Sequence, residues 1–217
     1  MNAEPKELKI MIIGSSGSGK TSFVQRWTRN VFTNDYKATV ISDFGFKIFK
    51  YNNNLYRIQL WDIGGQDKST SMAKIFARDS HGCIVVTDIS INETPHEIFN
   101  WKEIIRQESS FIDNEAIPFV LIGNKIDLIE KEEEKAIIDD RTKNICQNYG
   151  FLNYFLTSAK EGINVNESMK YLLEYIIDRI NKFSRENNVE FGQKRKDTII
   201  LTKECHAIRR DRRSKFC

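Results

Sequence analysis

The 217-residue sequence lacks any apolar run long enough to cross a membrane. A membrane-spanning helix needs about 18 or more consecutive apolar residues, and the N-terminal stretch MNAEPKELK is too polar for a signal peptide. We therefore expect a protein that is made in the cytosol and stays there. With 40% hydrophobic residues, the chain can bury one full core.

Paired cysteines are also absent. The four cysteines show no C-x-x-C spacing, so the sequence offers no zinc site of that type. Cys83 lies in an apolar run and Cys146 in a predicted helix, and we expect both to be reduced thiols. The other two, Cys205 and Cys217, lie near the C-terminus. The sequence has no internal repeats.

Charge is unevenly distributed along the chain. Residues 182–217 carry eleven Lys/Arg against five Asp/Glu, a net charge of +6, which leaves −3 for residues 1–181. The apolar helical pattern also ends at Ile180. The sequence therefore predicts a folded domain over 1–181 and a basic, flexible tail over 182–217.

Apolar runs typical of strands alternate with helical patterns. The runs occupy 8–14, 44–63, 82–88, 117–125 and 153–159, an alternation that predicts βαβ units and a parallel sheet. The run 44–63 is interrupted by KYNNNLY, whose asparagines favour a tight turn between two antiparallel strands. We therefore predict an α/β fold: a mostly parallel six-stranded sheet with one antiparallel edge strand, flanked by helices.

Two helix starts carry capping signals. Thr94, Pro95 and Glu97 match a capping box with proline at the first helical position. Asn164 and Glu167 repeat that spacing. The helix that follows has one apolar stripe, formed by Met169, Leu172, Leu173, Ile176, Ile177 and Ile180, which we assign to the core.

A glycine-rich loop follows the first strand and opens the first helix. It reads GSSGSGKTS over 14–22, with the Gly-x-x-x-x-Gly-Lys-Thr spacing of a phosphate-binding loop. Glycines let successive backbone N–H groups point at phosphates, Lys20 neutralises the β and γ phosphates, and the Thr21 hydroxyl can ligate Mg²⁺. The predicted phosphate-binding residues are Gly14, Ser15, Ser16, Gly17, Ser18, Gly19, Lys20, Thr21 and Ser22.

The base is indicated by two later motifs. Asn124-Lys125-Ile126-Asp127 ends a buried strand, and a fixed carboxylate there can accept hydrogen bonds from both N1–H and the 2-amino group of guanine. Adenine offers no such pair of donors, so Asp127 should discriminate strongly. The next strand ends in Ser158, Ala159 and Lys160, which add groups around the base.

These motifs, with Thr39 in YKATV and the stretch WDIGGQ at 61–66, resemble the Rab family of Ras-superfamily small GTPases over residues 8–181. YKAT, ISDF, WDI, TSAKEGINVNESM and the insertion NEAIP are similar to the Rab branch that serves lysosome-related and endolysosomal organelles. The resemblance implies the P-loop small GTPase fold. It also implies GTP and GDP as bound nucleotides, Mg²⁺ as cofactor, and action in vesicle trafficking on cytoplasmic faces of endomembranes.

The resemblance further implies roles for single residues. Phe32 would pack on guanine, Tyr36 would join the nucleotide site, Gly65 would donate its N–H to the γ-phosphate, and Gln66 would orient the attacking water. The implied Mg²⁺ ligands are Thr21, Thr39 and Asp62. The aromatic triad shown to effectors is Phe44, Trp61 and Phe76, for which ordinary core packing is the alternative.

Some positions depart from the family pattern. Gly64 replaces the usual alanine, Ile41 and Ser42 replace Gly-Val, and DKS stands at 67–69 in place of Glu-Arg-Phe. Gly64-Gly65 adds backbone freedom, so switch II, the segment around Gln66, is expected to be less ordered in the GTP state. A GTP-binding scaffold with little hydrolysis stays open as an alternative, as does a P-loop kinase or ATPase. No arginine finger is evident, and we expect slow intrinsic hydrolysis.

The resemblance implies an exchange factor, a GTPase-activating protein and GTP-state effectors as partners, and no nucleic acid. The tail ends in RRDRRSKFC, where Rab proteins usually carry two nearby cysteines. No C-a-a-X box is present. We expect one prenyl chain on Cys217, with the basic residues giving a second membrane signal. A soluble, unlipidated tail is the alternative.

Overall fold

A computed structural model of the chain describes residues 5–35, 39, 42–65, 70–91, 94–189 and 191. Its strands are β1 (Lys6–Ile13), β2 (Ser42–Tyr51), β3 (Asn54–Ile63), β4 (Gly82–Asp88), β5 (Phe119–Asn124) and β6 (Asn153–Thr157). Its helices are α1 (Lys20–Arg29), α2 (Thr70–Phe76), α3 (Pro95–Glu108), α4 (Glu132–Asn148) and α5 (Val165–Asn187), with a 3₁₀ turn at Ile126–Leu128.

The strands form one sheet in the order β2-β3-β1-β4-β5-β6. All neighbours run parallel except β2 and β3, which are antiparallel. The predicted sheet, with its antiparallel edge strand, is confirmed. Because the parallel strands point the same way, their carboxyl ends meet at one edge: Asp62 of β3, Asp88 of β4, Asn124 of β5 and Thr157 of β6 all lie there, and all are buried.

The predicted hairpin turn is confirmed. Tyr51 pairs with Asn54, which leaves Asn52 and Asn53 as a two-residue turn. Both have positive φ, 47° and 63°, as a type I′ turn requires, and asparagine tolerates this conformation better than most residues. The turn twists in the same sense as the two strands and so sets their register.

The capping box of α3 is confirmed, whereas that of α5 is wrong. Thr94 accepts from the Glu97 N–H, and Glu97 accepts from the Thr94 N–H. Asn164 precedes α5 with φ 54° and makes no side-chain cap, because its amide donates to the Leu156 carbonyl at 2.8 Å. The apolar stripe of α5 is buried as predicted: Met169, Leu172, Leu173, Ile176, Ile177 and Ile180 are each at most 2% exposed.

Helix α5 continues to Asn187, beyond the boundary that the sequence predicts near residue 181. The added turns carry no apolar stripe, but the segment contains neither glycine nor proline before Asn188, which ends the helix with φ 51°. The last described residue, Phe191, packs edge-on against His81 with ring centroids 5.7 Å apart. The domain boundary itself stays a prediction.

Cys83 and Cys146 are buried free thiols, as expected. Burial raises the pKa of the Cys83 thiol well above its usual value, so this side chain behaves as a small apolar core residue. Among the described helices, none has the length and apolar content to span a membrane.

Candidate functional site

A cavity of about 540 Å³ opens at the sheet edge where the parallel strands end, a size typical of small-ligand sites. The predicted residues that line it are Ser16, Gly17, Gly19, Lys20, Thr21, Ser22, Phe32, Thr39, Gly65, Asn124, Lys125, Asp127, Ala159 and Lys160. Gly14, Ser15, Ser18 and Ser158 are not among its lining residues. Tyr36, Gln66 and Cys217 lie outside the described residues. Gln25, Thr33, Asn34, Asp35 and Leu128 also line the cavity and were not predicted.

The loop over 14–19 wraps around the Lys20 ammonium. Gly14, Gly17 and Gly19 have φ of 136°, 79° and 93°, a backbone that favours glycine. Lys20 is 5% exposed, and its Nζ donates to the carbonyls of Gly14 at 2.9 Å and Ser15 at 2.8 Å. The positive charge is therefore fixed within the loop, at the wall of the cavity.

Asn124 joins three parts of the site. Its Nδ2 donates to the Ser18 carbonyl at 2.9 Å, while its Oδ1 accepts from the Thr157 hydroxyl at 3.2 Å and the Ala159 N–H at 3.1 Å. The side chain is thus a bridge between the glycine-rich loop, β5 and the segment after β6. This bridging contact could not be predicted from the motif alone.

Asp127 lies on the 3₁₀ turn after β5 and faces the cavity. Its Oδ1 accepts from the Ser158 hydroxyl at 2.5 Å, and the Ser158 oxygen in turn accepts from the Glu161 N–H at 3.0 Å. The Asp127 carboxylate is therefore held by the Ser158 hydroxyl, which is itself oriented by the Glu161 backbone N–H.

At the other end of the cavity, three oxygen-bearing side chains converge. The Thr21 hydroxyl donates to Asp62 Oδ2 at 2.5 Å and lies 2.9 Å from the Thr39 hydroxyl. Asp62 is 1% exposed, and burial raises the pKa of its carboxyl to about 6 against the opposing effects of Thr21 and Lys20. Its Oδ1 is buried and has no hydrogen-bond partner among the described residues. Carboxylate and hydroxyl oxygens suit Mg²⁺, so these residues fit the predicted cation.

Gly65 lies against the glycine-rich loop. A Cβ at this position would come within 2.4 Å of the Ser16 nitrogen and 2.7 Å of the Gly14 carbonyl oxygen, so only glycine fits without displacing the loop. The contact of Gly65 with the γ-phosphate stays a prediction. Gln66, the next residue, lies outside the described residues.

The aromatic triad is contiguous. Phe44 meets Trp61 edge-on at 5.5 Å between ring centroids, and Trp61 meets Phe76 at 5.0 Å. Phe44 is 46% exposed, while Trp61 and Phe76 are half-buried and pack against the core. The triad therefore has one exposed ring, which packs against two rings that belong partly to the core.

Arg26 of α1 supports the segment after β6 that lines the cavity, a role that was not predicted. Its Nε donates to the Ala159 carbonyl at 2.8 Å and its Nη2 to the Lys160 carbonyl at 2.6 Å. A third bond, from Nη1 to the Asn30 carbonyl at 3.1 Å, anchors the guanidinium at the end of α1. These bonds connect the helix that begins at the glycine-rich loop to the segment after β6.

Comparison with known proteins agrees with this geometry. The Ras family model matches residues 9–178. The human Ras-related protein Rab-32 is 31% identical over 210 residues, which cover 96% of this chain and 88% of that protein. The Ras-related protein Rab7 of Pisum sativum is 37% identical over 163 residues, which cover 75% of this chain and 79% of that protein. The family match includes every residue that lines the cavity, from Ser16 to Lys160.

Arg26→Gln should speed the release of bound guanine nucleotide roughly tenfold, since each hydrogen bond from a charged donor contributes about 1.5–3 kcal/mol. The measurement is stopped-flow release of a fluorescent GDP analogue. Arg29→Gln is the matched control, because Arg29 is an exposed arginine three residues further along α1. Equal release rates in the two variants would contradict a supporting role for Arg26.

Proposed function

The chain belongs to the Ras family, within its Rab branch, and we propose that its cavity reads guanine through Asp127 and holds phosphates on residues 14–22. The family match and these relatives confirm the Rab resemblance and the small GTPase fold that the sequence predicts. The chain is accordingly a GTPase, which hydrolyses GTP to GDP and acts as a GTP-binding switch in membrane trafficking.

The observation that carries the proposal is the fixed carboxylate of Asp127. It lines the cavity and is held by Ser158 at 2.5 Å, which leaves its remaining acceptor positions for a ligand. Guanine presents N1–H and a 2-amino group side by side, so one carboxylate can accept from both. A base without those donors leaves a desolvated carboxylate partly unpaired, which is costly.

The opposite end of the cavity suits the phosphates. Backbone N–H groups of the glycine-rich loop and the Lys20 ammonium would neutralise phosphate oxygens. Thr21, Thr39 and Asp62 would hold Mg²⁺, and the Asp62 Oδ1, which has no hydrogen-bond partner within the described part of the chain, supports this assignment. Bound Mg²⁺ supplies positive charge that offsets the charge developing on the phosphates.

For hydrolysis, Gly65 would donate its N–H to the γ-phosphate, and Gln66 would orient the attacking water. Gly65 already lies against the glycine-rich loop. Because the sequence shows no evident arginine finger, we expect slow intrinsic hydrolysis, which a partner that adds one would accelerate by about 10³- to 10⁵-fold. Loss of the γ-phosphate would then release the segments around Thr39 and Gln66.

Rab proteins in general work with exchange factors, GTPase-activating proteins and effectors, and associate with endomembranes. For this chain we propose that effectors contact the triad of Phe44, Trp61 and Phe76, and that the organelle is endolysosomal. The exposed Phe44 ring, 5.5 Å from Trp61, supports the first proposal, and the similarity to Rab-32 and Rab7 supports the second.

Asp127→Asn should weaken GDP binding and favour xanthine nucleotides. Xanthine carries a carbonyl where guanine has its 2-amino group, so the asparagine amide can donate to it. The measurement is competition of GDP, XDP and ADP against a fluorescent GDP analogue, on the parent and the variant. The parent should prefer GDP over ADP by at least about 10⁴-fold, as sites built on paired hydrogen bonds do. Equal competition by ADP would favour the kinase or ATPase alternative.

Gln66→Leu should slow GTP hydrolysis by at least about tenfold and leave GTP affinity within about threefold, because it removes a water-orienting amide but no predicted nucleotide contact. Single-turnover phosphate release measures the first quantity and nucleotide competition the second. Parent protein that releases no phosphate, alone or with an activating partner, would support the scaffold alternative.

The C-terminal tail is proposed to bring the protein to membranes. In the sequence, Cys217 follows Arg209, Arg210, Arg212, Arg213 and Lys215 within eight residues. Each basic residue near an anionic leaflet contributes about 1 kcal/mol. One prenyl chain with a polybasic segment provides the two signals that stable anchoring needs.

In lysates of its own cell, Cys217→Ser should move the protein from the membrane fraction to the supernatant. The variant has no Cys217 thiol and therefore cannot form the thioether bond to a prenyl chain. Intact mass should show one prenyl group on the parent chain and none on the variant. Cys205→Ser is the control and should leave both results unchanged. An unmodified parent chain with unchanged fractionation would support the soluble tail.

A further inference from the structure

Asp88 is a buried carboxylate beside the base side of the cavity, and the sequence motifs assign it no role. It is the last residue of β4 and pairs in register with Asn124 of β5. Its Oδ2 lies 2.5 Å from the Lys125 ammonium, and the Asp88 side chain is only 8% exposed against 33% for Lys125. The ion pair therefore lies at the inner wall of the site.

The second oxygen of Asp88 is also held. Its Oδ1 accepts from the Ser90 N–H at 2.9 Å and from the Ser90 hydroxyl at 2.6 Å. A buried carboxylate is costly unless it is paired and fully hydrogen-bonded, and both oxygens of Asp88 meet that condition. Such a carboxylate has one orientation, so it holds the Lys125 side chain in one orientation as well.

Lys125 occupies an unusual backbone conformation. It has φ 73° and ψ 34° and forms the N-cap of the 3₁₀ turn at Ile126–Leu128. The left-handed region is unfavourable for a residue with a Cβ and persists only where surrounding contacts enforce it. The Lys125 carbonyl also accepts from the Leu128 N–H at 3.0 Å, which closes the turn that carries Asp127.

We propose that Asp88 is a positioning residue for guanine recognition. By fixing Lys125 it enforces the left-handed conformation, and this conformation sets the direction in which the Asp127 carboxylate faces the base. The inference rests on the proposed reading of guanine by Asp127. Asp88 is not among the residues that line the cavity, so its proposed role is to set the direction of the Asp127 carboxylate and not to contact the base.

The direction of the Asp127 carboxylate matters more for guanine than for a base that has one hydrogen-bond donor fewer. A carboxylate that accepts from two adjacent N–H groups must lie in their plane at hydrogen-bond distance from both, and hydrogen bonds weaken steeply with misalignment. Hypoxanthine, the base of inosine, keeps N1–H but lacks the 2-amino group. Misdirection of Asp127 should therefore weaken GDP more than IDP, whereas general loosening of the fold should weaken both alike.

The experiment compares GDP and IDP in competition with a fluorescent GDP analogue on the full-length chain. Asp88→Asn keeps the shape of the side chain and removes the charge that holds Lys125. We expect GDP affinity to fall about tenfold and IDP affinity about twofold, so that the GDP/IDP preference falls about fivefold. A parallel loss for both nucleotides, or no change in the ratio, would overturn the proposal.

Asp113→Asn is the matched control. The Asp113 side chain, 23% exposed, forms an ion pair at 2.6 Å with Arg179, 16% exposed, on the segment before β5, and loss of this pair should leave the GDP/IDP ratio unchanged. If Asp88→Asn does not fold, Ser90→Ala, which removes one bond to Asp88, should lower the ratio about twofold, and an unchanged ratio there overturns the proposal. A parent protein that does not prefer GDP over IDP would instead refute the reading of guanine by Asp127.

Discussion

The side-chain amide of Asn124 is the contact on which the cavity depends. It uses its amide hydrogen on the Ser18 carbonyl and its oxygen on Thr157 and Ala159, and it is 2% exposed. Aspartate would lack the donor and leucine would lack both groups, so no residue of similar size replaces it. Gly19 must in turn be glycine, because a Cβ there would come within 2.2 Å of Asn124 Nδ2. A single amide thus fixes how the glycine-rich loop meets the segment after β6.

The sequence predicts those parts of the fold and site that local chemistry determines. The strands, the Asn52-Asn53 turn and the buried stripe of α5 follow from residue periodicity and turn preference. The glycine-rich loop follows from its own spacing. Once the sheet is known to be parallel, the convergence of Asp62, Asn124 and Asp127 at one edge is expected, because the carboxyl ends of parallel strands meet there.

The contacts that the sequence does not reveal are those between distant segments. Arg26 reads as a surface residue of an amphipathic helix, yet its guanidinium binds carbonyls 133 and 134 residues away. Every residue has a backbone carbonyl, so no sequence pattern identifies the carbonyls that Arg26 binds. Asn164 shows the converse: its spacing predicts a cap, but a nearby carbonyl competes for its amide. A local capping preference is overridden where a tertiary partner competes for the same side chain.

The two ends of the cavity differ in how far the chain satisfies its own polar groups. At the base end, Asp88 is paired with Lys125, and Asp127 is held by Ser158, so the chain alone sets that geometry. At the phosphate end, Asp62 keeps a buried oxygen without a described partner, and its carboxyl pKa is raised to about 6 by burial. This buried oxygen supports the proposal that a cation and phosphates complete that end. A switch needs this division, because the base is common to GTP and GDP whereas only the phosphate end differs between them.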